Sequence, residues 1–156
     1  MNGQGALKIL LIDDEPQIAR DMLKMFGYEV SVAEDGFAGI QLFNETSNNF
    51  DLVVLDLQMP KMDGWAVLKY IRSGEHRPNI PIIMLTACDE ETSVISGLRR
   101  GADEYLVKPI HPGKLLAYIE SVLRRSQWES RAAGNVEDPE LEGMRESIKL
   151  LTQREK

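Results

Sequence analysis

Three acids follow an apolar run near the start of the chain. In the stretch KILLIDDEP (8–16), the hydrophobic residues ILLI lead directly into Asp13, Asp14 and Glu15. Adjacent carboxylates repel each other by about 3 kcal/mol at ~5 Å and an effective dielectric of ~20. Such acids at the end of a buried strand indicate either the capping of a following helix or a site for a cation.

Polar residues also follow three further apolar runs. They are Asp56 after LVVL (52–55), Thr86 after IPIIML (80–85) and Lys108 after EYLV (104–107). In an open parallel α/β sheet, ligands bind beyond the carboxyl ends of the strands. We therefore expect these three side chains to lie with Asp13 and Asp14 at one edge of a sheet.

This set of side chains is suited to phosphoryl transfer. Mg²⁺ needs only one or two carboxylates with waters and phosphate oxygens, whereas Ca²⁺ recruits six to eight oxygens, so Mg²⁺ is the predicted cofactor. A carboxylate beside Mg²⁺ and a lysine can attack phosphorus to form an aspartyl phosphate. Phosphoryl transfer depends mainly on in-line positioning and charge neutralisation. Asp56 would attack, Lys108 would neutralise the phosphoryl oxygens with Mg²⁺, and Thr86 would donate a hydrogen bond to one of them.

Five apolar runs predict the strands that position these residues. Three of the runs are apolar without alternation, which is typical of strands buried on both faces of a parallel sheet. The predicted strands are 7–12, 29–33, 52–55, 80–85 and 104–107. We predict an α/β fold with a doubly wound, five-stranded parallel sheet, flavodoxin-like strand order 2-1-3-4-5 and helices on both faces.

Helical patterns lie between the strands. In the first helix, Ile18, Met22 and Phe26 recur at helical spacing before Gly27. Asp35 precedes a second helix, and Asp63 is the predicted N-cap of a third. A fourth helix is marked by Val94, Ile95 and Leu98, and a fifth, which opens at Pro112, by Leu115, Ile119, Val122 and Leu123.

Composition limits the classes of protein that fit. The 156 residues are 43% hydrophobic, enough for one domain and a tail, and a formal net charge of −7 argues against binding nucleic acid or an anionic membrane through charge. A single cysteine, Cys88, excludes a disulfide framework. With no signal peptide or membrane span visible, we predict a cytoplasmic protein.

The predicted divisions are a domain over residues 7–126, a polar linker over 127–143 and a short amphipathic segment over 144–156.

Four motifs, in order, resemble the receiver domain of bacterial two-component response regulators. They are IDDEP (12–16), LDLQMPKMDG (55–64), MLTA (84–87) and GADEYLVKP (101–109), and the similarity extends over about residues 7–125. The resemblance implies that Asp56 accepts a phosphoryl group from the phosphohistidine of a histidine kinase or phosphotransfer protein. Such a domain is a signalling switch rather than an enzyme, although it assists its own phosphorylation and dephosphorylation.

The resemblance also implies how the metal is held. Mg²⁺ would be bound by Asp14 and Asp56 directly, by Asp13 through water, and by the backbone carbonyl of Gln58. These ligands would place the metal next to the phosphoacceptor.

A conformational switch is implied as well. Thr86 and Tyr105 would be the coupled switch residues, and the bond between Lys108 and Pro109 would be cis. A homodimer would form through the fourth helix, the fifth strand and the fifth helix.

Three other functions fit these residues less well. An aspartyl-phosphate phosphatase of the haloacid-dehalogenase type needs a second Asp two residues beyond the nucleophile, where this chain has Gln58. A flavodoxin-type flavin carrier needs a Ser/Thr/Gly phosphate loop after the first strand, where this chain has DDEPQ. A degenerate receiver that acts only as a docking module would lack part of the residue set that is complete here.

The output of the switch is predicted from shorter signals. The run KPIHPGKLLAYIESVLRR resembles receivers attached to winged-helix DNA-binding domains, but Arg99 stands where Glu is usual and Tyr118 where Arg is usual. These departures put the dimer geometry of those receivers in question. The segment LLTQREK (150–156) is similar to the opening of a helix-turn-helix effector domain of another regulator family. Two outputs follow: transcription regulation through a DNA-binding effector domain outside this chain, or a single-domain receiver acting by protein contact.

Overall fold

A computed structural model describes residues 6–45, 47–59, 62–87 and 101–133, with side chains to residue 126. The predicted fourth helix, Cys88 and the amphipathic segment 144–156 lie outside the described residues. The chain divides into two compact units, residues 1–123 and 124–156. The first unit contains the sheet, and the described part of the second is helical backbone.

Five parallel strands form the sheet. They are β1 (Lys8–Ile12), β2 (Glu29–Ala33), β3 (Leu52–Asp56), β4 (Ile82–Thr86) and β5 (Glu104–Val107). Their order is β2-β1-β3-β4-β5, which confirms the predicted doubly wound topology. Every residue of β3 and β4 is buried. Helices cover both faces of the sheet, which explains why these strands are apolar without alternation.

Four helices are described. They are α1 (Gln17–Met25), α2 (Gly36–Asn44), α3 (Gly64–Ser73) and α4 (Pro112–Ala133). Asp63 caps α3 as predicted, its carboxylate accepting the Ala66 N–H at 3.0 Å. Asp35 caps α2 in the same way, accepting the Ala38 N–H at 2.8 Å. Helix α4 is the predicted fifth helix, and its backbone continues through the first residues of the predicted linker. No described helix is both long and apolar enough to cross a bilayer.

Helix α1 forms where the spacing predicted a helix, and its buried residues lie beside those that marked the pattern. Ala19 and Leu23 are buried, whereas Ile18 is 68% exposed. Met22 and Phe26 pack against the core only in part. The buried face runs through positions 19, 23 and 26, and Ile18 lies about 100° away from it around the helix.

Two apolar clusters lie on opposite faces of the sheet, because successive strand residues point to opposite sides. One cluster joins the sheet to α2 and α3 and includes Leu10, Ile12, Val53, Leu55, Phe43, Leu68 and Met84. The other joins it to α1 and the first turns of α4 and includes Ile9, Leu11, Val54, Leu85, Leu23, Leu115 and Ile119. The two layers hold the strands so that their carboxyl ends meet at one edge.

Candidate functional site

The carboxyl edge of the sheet brings together the acids singled out in the sequence. Asp13 directly follows β1, and Asp56 is the last residue of β3. Together with Asp14 they form the acidic cluster, in which one carboxylate oxygen from each residue lies within 4.8 Å of the others. Lys108, directly after β5, places its Nζ 3.3 Å from Asp13 Oδ2 and 3.6 Å from Asp56 Oδ2.

The members of the acidic cluster differ in burial. Asp13 is 1% exposed and Asp56 3% exposed, whereas Asp14 faces solvent. Two buried carboxylates thus share the single ammonium of Lys108, and the edge keeps an excess of negative charge. Buried charges are costly unless they are paired or bind a metal, so this edge suits a hard divalent cation with oxygen ligands.

Backbone N–H groups orient the two buried carboxylates. Asp13 Oδ1 accepts the Glu15 N–H at 2.9 Å. Asp56 Oδ1 accepts the Gln58 N–H at 3.2 Å. In both residues one oxygen is held by the following loop, and Oδ2 faces Lys108.

Crowding changes the acidity of Asp56. Burial, followed by the neighbouring Asp13 carboxylate, raises the pKa of Asp56 from 3.8 to about 7. The Lys108 ammonium and the Gln58 N–H act in the opposite direction and offset only part of this rise in pKa. A divalent cation at the acidic cluster would favour the ionised carboxylate and reverse the effect.

Helix α3 begins in close contact with the phosphoacceptor candidate. The Gly64 N–H donates to the Leu57 carbonyl at 2.9 Å. A Cβ on Gly64 would clash with the Asp56 carbonyl oxygen and lie 2.7 Å from Leu57 Cα, so only glycine fits here. Sequence reasoning missed this role of Gly64, although a glycine directly after the Asp63 N-cap was a usable signal.

The two proposed switch residues lie on neighbouring strands. Thr86 ends β4 and is fully buried, and its carbonyl accepts the Lys108 N–H at 2.7 Å. Tyr105 pairs in register with Met84 and is 7% exposed, within the cluster that faces α2 and α3. The peptide bond from Lys108 to Pro109 is cis.

Most of this chain is similar in sequence to known proteins. A family model described as the response regulator receiver domain matches residues 9–120. The chain is 49% identical over 121 residues to a probable transcriptional regulator ycf27 of Galdieria sulphuraria, covering 76% of this chain and 46% of that protein. It is 39% identical over 131 residues to the transcriptional regulatory protein CpxR of Escherichia coli strain K12, covering 82% and 54%. The chain spans about half the length of the curated relatives it matches.

Solved structures show the same fold. The receiver domain of the Francisella response regulator 1452 is 35% identical, with a TM-score of 0.69, and the match covers 77% of this chain and 98% of that one. The chemotaxis protein CheY4 of Vibrio cholerae is 32% identical, with a TM-score of 0.68, and the match covers 76% and 99%. Both are matched over nearly their whole length, so the likeness is that of an entire domain.

Proposed function

The chain belongs to the response regulator receiver domain family, and from this premise we propose that it is a phosphorylation-dependent switch of a two-component system. The observation that carries the proposal is the pair of buried carboxylates, Asp13 and Asp56, that share the ammonium of Lys108 at the carboxyl edge of the sheet. This edge combines a nucleophile candidate with the charges that phosphoryl transfer requires.

Asp56 is the proposed phosphoacceptor for a histidine kinase or phosphotransfer protein. Its Oδ1 is held by the Gln58 N–H, so Oδ2 is the oxygen placed to attack phosphorus. As the new O–P bond forms, the P–N bond of the donor phosphohistidine breaks, and the departing imidazole keeps the electron pair. Lys108 would pair with the phosphoryl oxygens, and the Thr86 hydroxyl would donate to one of them.

The same edge fits Mg²⁺. The three carboxylate oxygens of the acidic cluster lie within 4.8 Å of one another, and we propose that Asp14 and Asp56 bind the ion directly, Asp13 through water, and the Gln58 backbone carbonyl as a further ligand. When bound, Mg²⁺ supplies positive charge that neutralises the transferred group. The protein's own contribution is to orient the carboxylates of Asp13 and Asp56 through the Glu15 and Gln58 N–H groups.

Phosphorylation of Asp56 is tested by intact-mass spectrometry after incubation with acetyl phosphate and Mg²⁺. We expect the wild type to gain one acid-labile phosphate, and Asp56→Asn or EDTA to abolish labelling. Asp51→Asn is the matched control, because Asp51 lies at the opposite end of the sheet and accepts the Lys8 N–H at 2.8 Å. It should be labelled like the wild type. Full labelling of Asp56→Asn would refute the assignment.

Transcription regulation is the proposed output. The curated relatives carry names of transcriptional regulators and are about twice as long as the matched part. We therefore propose a receiver domain over residues 7–126, a linker over 127–143, and a segment over 144–156 that leads to a DNA-binding effector domain. DNA would be bound by that effector domain, while the receiver contacts the kinase. A single-domain receiver that acts by protein contact is the alternative.

Coupling of Thr86 to Tyr105 is proposed to transmit phosphorylation. A phosphoryl group on Asp56 would draw the buried Thr86 hydroxyl inward, which makes room for the ring of Tyr105 beside it on β5. Burial of the ring contributes roughly 1.5–3 kcal/mol, enough to shift a balanced equilibrium tenfold or more. In the present structure the ring of Tyr105 is already buried. The proposal therefore requires a second state in which Tyr105 adopts an exposed rotamer.

Thr86→Ala should leave Asp56 able to take phosphate but uncouple it from self-association. Analytical ultracentrifugation of beryllofluoride-treated protein measures this. The control is Ser47→Ala, which also removes a hydroxyl, but at an exposed position outside the sheet. We expect the wild type and Ser47→Ala to dimerise on treatment and Thr86→Ala to stay monomeric. Equal association of all three, with one Tyr105 rotamer in crystals of both forms, would show that Tyr105 serves only in packing.

A further inference from the structure

Arg72, in the last turn of α3, makes a set of contacts that the proposed chemistry does not use. Its Nε donates to the Gly101 carbonyl at 2.7 Å, and its Nη1 donates to the Pro78 and Ile80 carbonyls at 2.8 and 2.6 Å. Its Nη2 donates to Asp103 Oδ2 at 3.0 Å. The side chain is 19% exposed. All four acceptors belong to the segments that lead into β4 and β5.

Gly101 leaves the space that the Arg72 side chain occupies. A Cβ on Gly101 would lie 3.1 Å from both Cγ and Nε of Arg72. Gly101 also has a φ of +113°, a conformation that residues with side chains rarely adopt. Contact between the arginine and this turn is therefore close, and it depends on the glycine.

Asp103 connects Arg72 to the sheet by hydrogen bonds. Its N–H donates to the Ile82 carbonyl at 2.9 Å, and its Oδ2 accepts the Ile82 N–H at 2.8 Å. The same Oδ2 accepts from Arg72, so the guanidinium holds the carboxylate that links the residue before β5 to the first residue of β4. Strand β5 has only four residues and lies at the edge of the sheet, so it is hydrogen-bonded to a neighbouring strand on one side only.

The register of β5 determines where Lys108 lies. Lys108 follows β5 directly, and its N–H donates to the Thr86 carbonyl at 2.7 Å, closing the pairing at the other end. A slip of one residue would exchange the two faces of the strand and withdraw the ammonium from the acidic cluster. The hydrogen bonds at the two ends of β5 thus set the backbone position from which the Lys108 side chain extends toward Asp13 and Asp56.

We infer that Arg72 is a positioning residue for Lys108, acting through strand β5. Lys108 lies about 16 Å of extended chain beyond Asp103, so the effect passes along the strand and not by contact. The kinetic part of the test rests on the proposed phosphorylation of Asp56, whereas the structural part does not.

The structural test is a crystal structure of Arg72→Met beside that of Arg77→Met. Arg77 is the matched control because its guanidinium donates to the Phe50 carbonyl, away from β5. In Arg72→Met we expect Lys108 Nζ to move by roughly 1 Å or more from its 3.3 and 3.6 Å positions beside Asp13 and Asp56. It should stay in place in Arg77→Met. An unmoved Lys108 in Arg72→Met would overturn the inference.

The kinetic test is a double-mutant cycle on the rate of Asp56 labelling by acetyl phosphate. Rates are measured at a temperature where circular dichroism shows every variant fully folded. Arg72→Met should slow labelling roughly ten- to a hundredfold, the scale expected for misplacement of a catalytic group by about 1 Å. In a Lys108→Gln background the same substitution should have no further effect, whereas a purely structural role would multiply the two losses.

Arg72→Lys is a milder variant for both the Lys108 displacement and the labelling rate. It takes the place of Arg72→Met if Arg72→Met does not fold. A single ammonium cannot reach four acceptors in the planar geometry of a guanidinium, so partial loss is expected in both tests. Wild-type rates in Arg72→Lys, with Lys108 unmoved, would refute the inference. If Asp56→Asn is labelled like the wild type, the proposed function fails, and the crystallographic comparison still decides the role of Arg72.

Discussion

Lys108→Met is expected to destabilise the metal-free protein by about 3–5 kcal/mol at pH 8, the usual loss when one partner of a buried ion pair is removed. The Lys108 ammonium lies within 4 Å of Asp13 and Asp56, whose carboxylates are almost fully buried. Without that ammonium the two desolvated carboxylates repel each other, and the pKa of Asp56 rises further because Lys108 no longer opposes the effects of burial and of Asp13. Urea denaturation in EDTA measures the free energy of unfolding.

Two further variants separate charge from packing. In Lys108→Met/Asp56→Asn one of the two buried charges is gone, so most of the lost stability should return. Lys114→Met removes an exposed lysine from the first turn of α4 and should change stability by no more than about 0.5 kcal/mol. Equal losses in the single and the double variant would show that Lys108 supports the end of β5 by packing and not by charge.

The positions of these charged groups followed from the sequence for a simple reason. A parallel sheet aligns the carboxyl ends of its strands, so a polar residue directly after each apolar run falls on the same edge. The sequence could not show which of the adjacent acids is buried. Asp13 is enclosed and Asp14 faces solvent because of the path of the loop after β1, and residue type carries no signal for that path.

Arg72 illustrates a second limit of sequence reasoning. It lies in a polar stretch, RSGEHRP, that is typical of an exposed helix end and turn. Three of its four acceptors are backbone carbonyls, which every residue has, so no pattern of side chains marks them. Gly64 differs in part: a glycine directly after the Asp63 N-cap marks the position, but its close approach to Asp56 becomes evident only when α3 packs against the end of β3.

The metal-free protein should lose stability as the pH rises from about 4 to about 7, through the titration of Asp56. Its pKa is raised from 3.8 to about 7 in the folded state, first by burial and then by Asp13. Between these values the folded state binds more protons than the unfolded state, so the free energy of unfolding falls with rising pH. The contribution of this group is on the order of 4 kcal/mol, complete below pH ~4 and lost above pH ~7.

Comparison with Asp56→Asn isolates that contribution, because the other carboxylates titrate in both proteins. Urea denaturation in EDTA at several pH values should show the stability of the wild type relative to the variant falling across this range. A pH-independent difference would mean that Asp56 titrates like an exposed aspartate. Saturating Mg²⁺ should oppose the trend, because metal binding favours ionised ligands and its stabilisation grows with pH. Asp56→Asn should lose most of that stabilisation at pH 8, whereas equal stabilisation of both proteins would place the ion away from Asp56.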